Sequence, residues 1–262
     1  MARQNRRDRK FGRFANGKKI FVGEVLEERV LELKTSRMMD LIEGRAKSTR
    51  KMHDLEDLEF LVPIDKPSKI ICIGLNYRSH IEEMKWNIPK QPIIFTKPSS
   101  AIIGPGDDIV LPRASSRVDF EGESAVVIGR RASHAKAGLG HIFGYTCLND
   151  VTARDLQRAD VDWTRAKGFD TFAPIGPFVS TKCPTRVVTR LNGSVVQNSL
   201  LSDRVFDDAA LVEYISTIMV LEPGDLIATG TPSGIAPMKP GDVVEVELDG
   251  VGSLRNQVVK SR

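Results

Sequence analysis

Short β-type apolar runs bounded by turn residues dominate the chain, and helical spacing is confined to a few stretches. From Lys69 onward, KIICIG, PIIFTK, DIVLP, VDFEGESAVVIG, IFGYTCLND, IGPFVS, VVTRLNGSVVQN, DLIATG, DVVEVELDG and SLRNQVVK each predict a strand. Asn192-Gly193 separates two such runs and predicts a tight hairpin. PGD recurs at 105–107, 223–225 and 240–242, each time ahead of a β run, as turn chemistry rather than a solenoid repeat. Two longer helices are predicted. VTARDLQRA follows Asp150, and DDAALVEYISTIM has Asp207 or Asp208 as N-cap and a core-facing stripe at Leu211, Ile215, Ile218 and Met219.

Residues 1–66 read differently. KKIFVGEVLEERVLEL predicts two short strands, SRMMDLIEG a short helix capped by Ser36 and stopped by Gly44, and STRKMHDLEDLEFLVPIDKPS is charged and ends in prolines. The expected organisation is a small N-terminal α/β domain over 1–66 and a larger domain over 67–262. The class is α+β, mainly β. Strands and helices do not alternate, which disfavours a doubly wound sheet or a TIM barrel.

Composition narrows the picture modestly. The chain has 262 residues, of which 41% are hydrophobic and 27% charged, an ordinary globular balance with ample material for a core. No apolar run approaches the roughly 20 residues that span a bilayer. The basic N-terminus has no apolar segment of the secretory kind behind it, so a cytoplasmic protein is the default. The net charge of +4 is unevenly placed: residues 1–19 hold eight Lys or Arg and one acid, a local +7, which leaves −3 for the rest. With only Phe11 and Phe14 for stacking, that start reads as a solvated, partly flexible extension rather than a nucleic-acid arm. Cys72, Cys147 and Cys183 form no CxxC pair, against a disulfide framework or structural zinc; Cys72 and Cys147 are expected to be buried strand residues.

One strand poses a chemical problem. VDFEGESAVVIG carries Glu121 and Glu123 two positions apart, hence on one face if the strand is continuous. Two carboxylates buried side by side repel, so that face is either wet or holds a cation. Asp150, at the junction of a strand and a helix, is on its own read as an N-cap. With Glu121 and Glu123 it would supply three hard oxygen ligands, a set for Mg²⁺, Mn²⁺ or Ca²⁺ rather than zinc. Asp119 shares their parity but sits nearer a turn or supporting role. His80 and Glu83 become neighbours if GLNYRSHIEEM is helical. Lys97 and Lys167 would each, alone, be solvated lysines.

GLNYRSHIEEM, PIIFTKPSSAIIGPGDDIVLP, VDFEGESAVVIGR, GYTCLNDVTARDLQ, KGFDTFAPIGPFV, LNGSVVQ and LEPGDLIATGTPSGI, in that order over roughly residues 69 to 260, closely resemble the fumarylacetoacetate hydrolase family. The resemblance implies that family's β-rich roll or sandwich with a long mixed sheet. Matched position by position, it implies Glu121, Glu123 and Asp150 as ligands of a divalent metal. It implies His80 and Glu83 as a catalytic dyad, and Lys167 as a lysine that contacts substrate and stabilises negative charge. Lys97, Gln157 and Thr231 match substrate-pocket positions, Tyr77 and Arg78 lie beside the dyad, and His80 to about Pro89 matches a segment that closes as a lid in some members. A homodimer is likewise expected from the resemblance alone.

The chemistry agrees with this. A divalent ion can chelate a 2-oxo acid and stabilise an enolate, with His80 tuned by Glu83 as base. The expected function is a metal-dependent hydrolase or lyase of a small 2-oxo or 1,3-diketo acid, with C–C hydrolysis of an acylpyruvate-like substrate placed first. Oxaloacetate decarboxylation, isomerisation or decarboxylation of 2-hydroxyhepta-2,4-diene-1,7-dioate, and dehydration of a 2-keto-3-deoxy sugar acid use the same chelate. A non-catalytic binder working through the basic start is the alternative from another class, disfavoured because a binder has no use for the dyad.

Overall fold

The computed structural model describes residues 8–64 and 66–261. The N-terminal part folds as β1 (Lys10–Asn16), β2 (Lys19–Leu26), β3 (Arg29–Leu33), α1 (Met38–Ile42), β4 (Ser48–Asp54) and β5 (Glu59–Leu61). There follow β6 (Ile70–Gly74), α2 (Arg78–Met84), β7 (Ile93–Lys97), β8 (Ile102–Ile103), β9 (Asp108–Leu111), β10 (Val118–Asp119), β11 (Gly122–Ile128), β12 (Ile142–Asn149), β13 (Thr152–Ala153), α3 (Arg154–Ala159) and α4 (Thr164–Lys167). The chain ends with β14 (Ala173–Ser180), β15 (Arg186–Leu191), β16 (Ser194–Leu200), α5 (Asp208–Ile218), β17 (Leu226–Ala228), β18 (Val243–Leu248) and β19 (Gly252–Lys260).

A 12-stranded mixed sheet runs β4-β3-β2-β1-β14-β12-β11-β17-β6-β7, with β5 on β1 and β8 on β14. A five-stranded sheet, β16-β15-β18-β19-β9, packs against it. Alternation along β11 assigns its two faces. Val126 and Ile128 enter the core shared with the smaller sheet and α5, while Ala125 and Val127 enter the core on the other side. The β15–β16 hairpin turns at Asn192 and Gly193, both at positive φ (51° and 82°), as the dipeptide predicts.

Three expectations change. The basic start was expected to be solvated through residue 19. Residues 1–7 lie outside the described residues, but Lys10–Asn16 is an internal strand, bonded to β2 on one side and β14 on the other. Phe11 and Phe14 are buried, and Phe14 sits in a ring cluster with Phe21, Phe60 and Phe178. Paired aromatic burial of this size outweighs the local charge. At α1, Arg37 rather than Ser36 holds the cap position and makes no side-chain cap bond. On α5, Asp207 caps as expected, accepting from the Ala210 N–H, but Ile218 is exposed while Val212 joins Leu211 and Ile215 in the core. Cys72 and Cys147 are buried, on β6 and β12. Among the described residues no helix is long and apolar enough to cross a membrane.

Candidate active site

Glu121, Glu123 and Asp150 converge, each offering a carboxylate oxygen within 4.8 Å of the others. They do so for a different reason from the one strand parity suggests. The predicted strand is broken: Phe120 and Glu121 belong to neither β10, which pairs with β13, nor β11, which pairs with β12. Glu123 lies on the face of β11 that carries Ala125 and Val127, beyond the end of the apolar core. Glu121 is brought beside it by the bend, which is pinned by two bonds. The Glu121 N–H donates to Asn149 Oδ1 (2.9 Å), and the Asp150 N–H donates to the Glu121 carbonyl (2.8 Å). Asp150 does not cap a helix; α3 begins after Ala153.

Buried cations hold two of the three carboxylates. Lys167 Nζ donates to Glu121 Oε2 (2.8 Å) and Asp150 Oδ2 (2.7 Å). Lys97 Nζ donates to Asp150 Oδ1 (2.7 Å) and the Val151 carbonyl (3.0 Å). Arg154 bonds Glu121 through Nη2 and Asp119 through Nε, and Arg117 holds the other side of Asp119. Burial pushes the Glu121 pKa up, but the charges of Lys167 and Arg154 outweigh it and leave it lowered. Lys167 is raised: burial opposes its charge, and Asp150 and Glu121 more than compensate. Glu123 goes the other way. Burial and the neighbouring Asp150 and Glu121 carboxylates push it well above the ordinary carboxylate range, against the opposing pull of Lys167 and the Gly230 N–H (2.8 Å to Oε2). Gly230 can make this approach because it has no Cβ; at φ 94° one would lie 2.8 Å from Asn76 Cβ.

His80 and Glu83 are in contact, as their spacing on a helix predicts. α2 places His80 Nδ1 3.0 Å from Glu83 Oε2, and the Gly234 N–H donates to Glu83 Oε1 (3.1 Å). The start of α2 is fastened to the body by Asn76, whose Nδ2 donates to the Thr229 carbonyl (2.8 Å) and the Phe206 carbonyl (3.0 Å). Ser79 and Arg78 bind the Asp203–Arg204 segment.

A cavity of about 380 Å³ opens over these groups, within the size range of small-molecule sites. Its walls include His80, the triad, Lys167, Gln157 and Thr231. Gln157 accepts from Arg154 Nη1 (2.6 Å); the Thr231 hydroxyl donates to the Gly122 carbonyl (3.0 Å) and accepts from Gln197 Nε2 (2.8 Å). One residue expected at the pocket stands elsewhere, and the two beside the dyad do not line the cavity. Lys97, expected at the pocket wall, is 2% exposed and stands behind Asp150 as its counter-charge. Tyr77 is buried in the core with an unpartnered hydroxyl, and Arg78 points to the Asp203–Arg204 carbonyls. Two contributors went unassigned in the sequence: Arg154, on the first turn of α3 with Gln157 three positions on, and Trp163, which packs edge-on against Phe95 (5.2 Å) to form an apolar wall.

The donor set fits a divalent cation. Asp119, Glu121, Glu123 and Asp150 are all buried, against three buried cations, Lys97, Arg154 and Lys167. Glu123 is the acid that this ledger leaves uncompensated, and its raised pKa is the symptom. A hard dication among the three oxygens relieves the excess, so the triad could hold a divalent metal.

The chain is similar to known proteins over most of its length. The family model described as "Fumarylacetoacetate (FAA) hydrolase C-terminal" matches residues 69–259. A protein of Archaeoglobus fulgidus is 52% identical over 212 residues, covering 79% of this chain and 84% of its own. A mitochondrial oxaloacetate tautomerase of Bos taurus is 41% identical over 220 residues, 78% of this chain and 70% of its own. The crystal structure of a 2-hydroxyhepta-2,4-diene-1,7-dioate isomerase from Mycobacterium marinum superimposes with a TM-score of 0.86 at 39% identity, covering 97% of this chain and 99% of that one.

Proposed function

Because the chain belongs to the fumarylacetoacetate hydrolase family, we propose that it is a divalent-metal-dependent enzyme that moves a proton between carbon and oxygen of a small 2-oxo carboxylic acid, a tautomerase or isomerase. One observation carries this reading: three carboxylates that could hold a cation, a buried lysine and His80, which Glu83 holds, line a single cavity. Glu121, Glu123 and Asp150 would hold the ion, and Mg²⁺ or Mn²⁺ suits their oxygens. When bound, the ion supplies Lewis-acid stabilisation of negative charge on the substrate.

The side chains do the rest. Glu83 holds His80 through Nδ1, which leaves Nε2 as the nitrogen that exchanges a proton with the ligand. Lys167 keeps a second positive charge beside the triad, where water is largely excluded and charge acts strongly. Arg154 and Lys97 fix Glu121 and Asp150 from behind. The Trp163–Phe95 wall presents an apolar surface to a planar enol.

The tautomerase and isomerase relatives support putting proton transfer first. C–C hydrolysis of an acylpyruvate, placed first from sequence, becomes the second reading; it asks the same His80–Glu83 pair to deprotonate a water. Incubating the Mg²⁺-loaded protein with oxaloacetate, dienedioates and acylpyruvates tests both through enol absorbance and product identity. Accelerated keto–enol exchange of oxaloacetate or isomerisation of a dienedioate is expected. Cleavage of acylpyruvates alone would establish the second reading instead, and no reaction with any of them would defeat both.

A further inference from the structure

The cavity wall carries one further cation. Arg154 and Lys167 are each bound to two carboxylates. Arg158, on the same wall, has no hydrogen bond or ion pair among the described residues. The nearest wall acid in sequence, Asp160, does not serve it: both its oxygens are taken by Arg165 (2.8 and 2.5 Å). Arg158 follows Arg154 by four residues on α3, so the two share a helix face, one turn or about 6 Å of rise apart. Arg154 reaches down to Glu121 at the floor; Arg158 therefore stands a turn further out, at the solvent end, and it is exposed. The apolar side chains of Trp163, Phe95 and Met84 line the same cavity.

We propose that Arg158 is a specificity-determining residue that binds a second acidic group of the substrate. It makes the site selective for dianionic 2-oxo acids over monoanionic ones of equal length. The inference rests on the reading above, in which the 2-oxo end sits at the triad. The distribution of charge is what recommends it: Arg154 and Lys167 are already committed to carboxylates, apolar side chains line the same cavity, and an uncommitted guanidinium stands one turn further out. A planar fork of this kind pairs with a carboxylate through two parallel bonds. A solvent-exposed pairing is screened, so the expected selectivity is about tenfold rather than thousandfold.

The test is calorimetric binding of two non-identical probes of matched length, 2-oxoglutarate and 2-oxopentanoate, to the Mg²⁺-loaded protein. The wild type is expected to bind the dianion at least about tenfold more tightly. Arg158→Gln should bring the ratio close to one, and Arg158→Lys, which keeps the charge without the fork, should retain part of it. Thermal melting of both variants should match the wild type, since the side chain is exposed. A wild type that binds both probes alike, or a ratio that survives in Arg158→Gln, overturns the inference and leaves the 2-oxo acid reading standing. Failure of both probes to bind brings down that reading and the inference together.

Discussion

His80 Nδ1 lies 3.0 Å from Glu83 Oε2 one turn away on α2, and the other oxygen of Glu83 is held by the Gly234 N–H. The pair is therefore restrained from both sides: Glu83, which orients the ring, is itself held by the backbone at Gly234. A base fixed in this way typically contributes about 10²–10⁴ in rate. His80→Ala is predicted to lower kcat within that range. Glu83→Gln, which keeps a partner for Nδ1 but loses the charge, is predicted to lower kcat about tenfold with little change in KM. Steady-state kinetics on whichever enolisable acid the enzyme accepts checks both, and a wild-type kcat in His80→Ala would remove the base from the mechanism.

The three acids of the triad should respond differently to removal. Asp150→Ala leaves Lys97 buried without its carboxylate and is predicted to cost about 3 kcal/mol or more of stability. Glu123→Gln abandons no cation, so it should fold normally while losing Mg²⁺ binding and turnover. Denaturant melts alongside Mg²⁺ calorimetry separate the two effects. Full metal affinity in Glu123→Gln would refute the assignment of the triad.

Metal removal should silence the enzyme reversibly. Dialysis against EDTA is predicted to abolish turnover, and Mg²⁺ or Mn²⁺ to restore it, because hard oxygen donors hold either ion. Activity that persists after a chelator has stripped all bound metal, verified by elemental analysis, would contradict the proposal.

Glu123 gives the metal-free protein a pH dependence whose sign follows from its raised pKa. A carboxyl that holds its proton more tightly when folded than when unfolded stabilises the fold below its unfolded value, about 4.3, and that contribution fades as pH rises through the folded value. In EDTA, wild-type stability should thus decline relative to Glu123→Gln as pH rises above the ordinary carboxylate range. Parallel stability curves for the two proteins would show that Glu123 is already ionised without metal.

The start of the chain can be divided cleanly. Removing residues 1–7 should leave turnover unchanged, whereas a nucleic-acid binder working through that basic segment would lose its activity. Phe14→Ala, in contrast, removes a fully buried ring from a four-ring cluster and should cost about 3–5 kcal/mol. A truncation through residue 19, which charge alone would suggest, would delete an internal strand.

Local pattern was a good guide where the signal was local. β6, β7, β12 and the Asn192-Gly193 hairpin fall where their apolar runs and turn residues put them. What it missed was non-local. Nothing in residues 10–16 announces that their partner is β14, so a charged count stood in for a strand. Parity pairs Glu121 with Glu123 along one strand, but that strand breaks at Phe120 and Glu121, so the bend and not the pleat brings the triad together. The contact between His80 and Glu83 was legible from their i, i+3 spacing, whereas their role as a dyad is implied by the resemblance alone. Arg154 was not, because an arginine in an RDLQ helix looks solvated until Asp119 and Glu121 are seen beneath it. Lys97 was assigned to the pocket, and only the direction of its side chain reveals it as a counter-charge.

The position of β1 has a consequence for how the molecule assembles. It precedes every other described strand, yet one of its neighbours, β14, follows more than half of the 262 residues later, with Phe11 opposite Val179. The β1–β2 hairpin can close early on its own, but its other edge must stay open until then, and contacts spanning such distances slow folding and expose nascent edges to aggregation. Pulse-labelled hydrogen exchange during refolding should accordingly protect the amides β1 donates to β2 well before those it shares with β14; simultaneous protection would mean that the sheet closes in a single late step.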